Sequence, residues 1–161
     1  MNKIFFCFLF FSIPPVANEN EITGKVIVIL DGNTLEVSTE KNETYRIILK
    51  DIDCPEINQE FGTDARDFLR QRLFHQQVVV SIHGKDRLKN YIGVVFRDLK
   101  DVRLELLEQG LAWTAEKGPD PGLELYRTHA AKNRTGLWKQ DAPTPPWIYR
   151  RLESMSEAKS R

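Results

Sequence analysis

Apolar and polar residues alternate along three stretches in the first third of the chain. TGKVIVIL (23–30), TLEVS (34–38) and YRIILK (45–50) are rich in β-branched side chains and read as short strands. The first two are separated by Asp31-Gly32-Asn33, a hairpin signal in which Asn33 suits a turn position of positive φ. In YRIILK, Tyr45, Ile47 and Leu49 fall on one face, and Arg46, Ile48 and Lys50 on the other. The period then changes to that of a helix. GTDARDFLRQRLF (62–74) places apolar residues at 65, 68, 69 and 73, with Thr63 as the expected cap. Two further strands, VVVSI (78–82) and YIGVVF (91–96), flank the charged turn HGKDRLKN. A short helix over Leu104–Gln109 stops at Gly110, and a last one runs from 121 to 133 and is closed by Gly136. APTPPW (142–147) reads as a segment lying across the surface, and residues 151–161 as a polar tail. Five short strands with about three helices predict an α+β, mainly β fold, a small barrel with an appended helical part.

The first residues follow a different pattern. Lys3 precedes an apolar, phenylalanine-rich run, IFFCFLFFSI (4–13), which ends at Pro14-Pro15. Ten residues are too few to cross a bilayer as a helix, which takes about twenty. The run reads as a secretory signal over 1–17, cut after Ala17, followed by a domain over 18–150. That predicts a secreted or periplasmic protein without stable membrane insertion once the leader is gone. With 23 basic and 23 acidic residues, losing Lys3 leaves the mature chain about one charge negative, which does not suggest a strong phosphate-backbone binder. Cleavage also leaves Cys54 as the sole cysteine, so no internal disulfide is expected. His75, His83 and His129 lack the spacing of a zinc site.

Taken in order, VIVILDGNTLEV, YRIILKDIDCPE, QEFGTDARDFL, KDR, EQGLAW and RTGLW followed by PPW resemble the staphylococcal nuclease family over about residues 23–150. The resemblance implies an OB-fold barrel and calcium-dependent hydrolysis of DNA and RNA. The family's chemistry uses calcium held by oxygen ligands, a carboxylate that activates water, and two arginines that meet the phosphate as negative charge builds. Carried over residue by residue, the metal positions are Asp53, the Cys54 carbonyl and Asn33, where the family's DGDT turn has an acid. The water-activating position is Glu56. The first phosphate arginine falls on Ile48, with Arg46 two residues away on the same strand face. The second falls on Asn90, and the tyrosine and glycine of that turn are replaced by Leu88 and Lys89. The stretch after GLAW, where the family supplies stacking tyrosines, reads Thr114-Ala115-Glu116-Lys117-Gly118-Pro119 and has no aromatic residue.

Each of these positions also has an ordinary structural reading. Asp53 and Glu56 suit a turn around Pro55, Arg46 a solvated strand face, and Cys54 a small buried site. Two functions follow. One is an exported pseudonuclease that keeps the barrel and binds an unknown protein or nucleic acid without a cofactor. The other is a weak calcium-dependent nuclease using Glu56, Asp53 and Arg46. A sequence-tolerant binder of single strands has OB-fold precedent but is disfavoured by the charge balance.

Overall fold

A computed structural model describes residues 20–159; the leader reading over 1–17, with its cut after Ala17, lies outside them. The strands are β1 (Glu21–Ile29), β2 (Thr34–Ser38), β3 (Thr44–Leu49), β4 (Ile52–Asp53), β5 (Gln77–Lys85), β6 (Tyr91–Arg97), β7 (Lys100–Asp101) and β8 (Trp113–Thr114). The α-helices are α1 (Gly62–Leu73), α2 (Val102–Glu108), α3 (Pro121–Lys132) and α4 (Pro146–Lys159), with a 3-10 turn at Gly136–Lys139. The main sheet runs β3-β2-β1-β5-β6-β7, and a parallel β3–β6 pairing closes its five long strands into a barrel. Closure leaves the long strands without a free edge.

The burial pattern along β1 shows how the barrel bends. Val26 and Ile29 are buried three residues apart, and the β1–β2 register shifts between Val26 and Val28. That bulge breaks the period of two, so the first half of β1 pairs with β5 and the second half with β2. Inside lie Leu35, Val37, Ile47, Leu49, Val80 and Val95, and α1 closes one end with Ala65, Leu69 and Leu73. Each buried Val, Leu or Ile among them contributes about 1.5–3 kcal/mol through removal from water.

Several expectations need correcting. Thr63 does not cap α1; Phe61 holds that position at φ 66°, and no side chain caps the end. The preceding turn sets the entry instead, with the Gly62 N–H donating to the Gln59 carbonyl and the Ala65 N–H to that of Phe61. Asn33 does not have positive φ, so turn conformation does not explain it. Among the described residues there are four α-helices, the fourth being α4 (Pro146–Lys159), which takes in the end of the segment read as lying across the surface and the described part of the tail. The helix runs continuously through residue 150.

Candidate functional site

The acidic loop is built where β3 leaves the barrel. The Leu49 N–H donates to the Asn33 carbonyl at 2.8 Å, which fastens the end of β3 to the β1–β2 turn. Asp51, at φ 61°, then redirects the chain into β4, where Ile52 pairs with Thr114 and Asp53 with Trp113. Cys54 and Pro55 are buried, and the chain emerges at Glu56. The Cys54 thiol donates to the Gly32 carbonyl at 3.2 Å, and its burial pushes the thiol well up from its ordinary value. A side chain at Gly32 would meet Cys54 Cβ at 2.6 Å and Ala65 Cβ at 2.7 Å. One at Gly62 would meet the Glu56 carbonyl oxygen at 1.8 Å. These two glycines permit the close approach that holds Asp31, Asp53 and Glu56 in one region.

A residue from the far end of the chain completes this region. Arg150, on the second turn of α4, forks onto Asp53, with Nη1 to Oδ1 at 3.1 Å and Nη2 to Oδ2 at 2.8 Å. Its Nη1 also donates to Glu56 Oε1 at 2.6 Å. A planar guanidinium is well matched to such bidentate contacts. The two carboxylates raise the Arg150 pKa above its ordinary value. Burial raises the Asp53 carboxyl, and the opposing pull of Arg150 does not cancel that effect. Asp31 is also raised, chiefly by burial, against hydrogen bonds from Asn33 and Thr34.

The remaining positions make local contacts, and of them Asn33 reaches the acidic loop. Asn33 Oδ1 accepts from the Cys54 N–H at 3.4 Å, and the Asn33 N–H donates to Asp31 Oδ1 at 2.8 Å. Arg46 sits opposite Glu36 in the β2–β3 register and pairs with it at 2.9 Å. Ile48 is half-buried between Thr34 on β2 and Ile92 on β6. Asn90 ties its turn together, giving Nδ2 to Asp86 Oδ2 at 2.9 Å and its N–H to Asp86 Oδ1 at 2.8 Å. Lys89 takes φ 65°, so the turn keeps a glycine-like backbone without a glycine, and Leu88 projects into solvent. At the end of β8 the Thr114 hydroxyl donates to Glu124 at 2.7 Å, and beyond it Glu116 pairs with Arg151.

Calcium, which the resemblance implies, takes six to eight oxygen ligands. The residues present do not fit it in this arrangement. Arg150 holds Asp53 and Glu56, and the Asn33 amide oxygen faces the Cys54 N–H. Among the described residues no three metal-ligating side chains of His, Cys, Asp or Glu type converge on a common point.

Comparison with known proteins bears on the scaffold. The family model described as "Staphylococcal nuclease homologue" matches residues 46–140. A protein of Haemophilus influenzae named "Uncharacterized endonuclease" is 30% identical over 151 residues, covering 93% of this chain and 85% of that protein. One of the same name from Escherichia coli is 33% identical over 132 residues, covering 81% of this chain and 86% of that protein. A "Micrococcal nuclease" of Shigella flexneri is 33% identical over 143 residues, covering 81% and 82%. Arg150 lies beyond the residues that the family model matches. With the barrel closed as the motifs predicted and the match running through β3, the acidic loop and α3, the chain belongs to the staphylococcal nuclease homologue family.

Proposed function

We propose that this chain is an exported pseudonuclease, a nuclease-family barrel that has lost phosphodiester hydrolysis and serves as a binding module. The single observation behind this reading is the engagement of both acids, Asp53 and Glu56, by Arg150. A carboxylate that is to activate water or bind a metal needs a free lone pair directed at the reacting group. Around these acids the cationic side chains that meet phosphate are replaced by Ile48 and Asn90, and the amide Asn33 brings no charge. Single electrostatic contributors of this kind are commonly worth about 2.7–4 kcal/mol each, so their combined loss removes most of a nuclease's rate advantage. The leader over 1–17 directs the protein out of the cytoplasm, where the barrel engages a protein or a nucleic acid.

The second reading, a weak calcium-dependent nuclease, draws on the names of the relatives and on the retention of Asp53 and Glu56. In that case Arg150 rather than Arg46 is the guanidinium closest to hand, since Arg46 is committed to Glu36. A reversal experiment separates the two. The triple change Asn33→Asp, Ile48→Arg and Asn90→Arg, made with Arg150→Gln to free the acids, should create calcium-dependent DNA cleavage. Each single change should do little, because groups that act as a unit are not additive. If the parent already cleaves DNA at an enzyme-like rate and the combined variant gains nothing, the pseudonuclease reading is wrong.

A further inference from the structure

Part of the mismatch between the acidic loop and calcium lies in α4, whose Arg150 holds Asp53 and Glu56. We infer that α4 occupies the site in cis, with the Arg150 guanidinium standing where the family's divalent cation would balance Asp53 and Glu56. The inference builds on the assignment of those two acids to the family's metal and water-activating positions. It does not depend on whether the chain cleaves nucleic acid.

Several contacts, all near the start of α4, support it. Pro146 is buried, and Trp147 packs edge-on against Trp113, the β8 partner of Asp53, with ring centroids 5.7 Å apart. The Tyr149 hydroxyl donates to the Asn58 carbonyl at 3.3 Å, and Gln59 Nε2 to the Thr144 carbonyl at 2.6 Å. Arg151 pairs with Glu116 at 2.7 Å. These contacts reach β8 itself and two loops: the one that follows Glu56, and the one after β8 where the family places its stacking residues. From residue 150 to 159 the helix is exposed, so its attachment is concentrated over the acids. A tethered cation held this way competes at a high effective concentration. A calcium ion must break a bidentate ion pair and a third charge-assisted hydrogen bond before it can bind.

The test is calcium titration of the full mature chain by calorimetry and by thermal unfolding, comparing the parent with Arg150→Gln and with the double variant Arg150→Gln/Asp53→Asn. The parent should show no saturable calcium heat and no shift in midpoint at millimolar calcium. Arg150→Gln should lower the midpoint without calcium, recover it on saturation, and bind calcium at least tenfold more tightly than the parent. The double variant should lose that response. If Arg150→Gln does not fold alone, refolding by calcium but not by sodium at equal ionic strength supports the inference, and failure to refold counts against it. The idea is overturned if the parent binds calcium as tightly as Arg150→Gln, or if folded Arg150→Gln ignores calcium. DNA cleavage by the parent that persists in chelator would overturn the pseudonuclease reading alone, calcium-dependent cleavage would overturn both, and a calcium-indifferent Arg150→Gln in a parent that does not cleave DNA would overturn the occupancy of the site by α4 and leave the loss of hydrolysis standing.

Discussion

Asp31 carries a charge that the fold satisfies with hydrogen bonds rather than with a cation. Burial raises its carboxyl above the ordinary 3.8, with Glu56 adding to the effect. A carboxyl raised in the folded state contributes stability that is fully present below its unfolded value and is lost as pH rises through the folded one. Asp31→Asn keeps an oxygen for the Asn33 N–H and removes the charge. It should therefore be more stable than the parent at pH 7, with the gap closing as pH falls below 3.8; urea unfolding at both pH values measures this. Gly62 imposes a steric limit in the same region. A methyl group there must displace the Glu56 carbonyl, so Gly62→Ala should cost about 1–3 kcal/mol in denaturant unfolding. Cys54, buried and bonded to the Gly32 carbonyl, should react with a thiol reagent only after denaturation.

At the level of elements, the parts legible in the sequence were those with a period long enough to see. The five long strands and α1 to α3 stood out because alternation or a helical stripe runs through each of them. β4, β7 and β8 are two residues each, too short to show a pattern, although β4 and β8 are what carry Asp53 beside Trp113. α4 was missed for a different reason. The prolines at and just before its start suggest a turn, and its exposed second half presents no continuous apolar face, so the inward-facing residues are confined to its first four positions, Pro146 to Tyr149. Arg150 was not discoverable by spacing at all, since its partners lie 97 and 94 residues upstream. The Trp147 anchor gives a prediction at this scale. Trp147→Ala should lose about 1–2 kcal/mol and release the amides of α4 to fast hydrogen exchange while the barrel strands keep their protection.

For the molecule as a whole, the closed barrel surrounds a shared apolar core. Cys54 is free and buried, and the apolar interior runs from β1 to α3. Among the described residues no helix is long and apolar enough to cross a membrane. If the leader directs export as its charge and length predict, mass spectrometry of the native protein should find a mature N-terminus near Asn18 in an extracytoplasmic fraction; an intact Met1 on cytosolic protein would contradict this. The central claim concerns the acids themselves, which face an arginine of their own chain in place of a metal and a phosphate. It is tested most directly by the rate at which the purified mature protein degrades DNA and RNA in calcium and in chelator, with Glu56→Gln as the control for contaminating nucleases. The account predicts no difference among the three. Calcium-dependent turnover that the chelator abolishes and Glu56→Gln removes would contradict it.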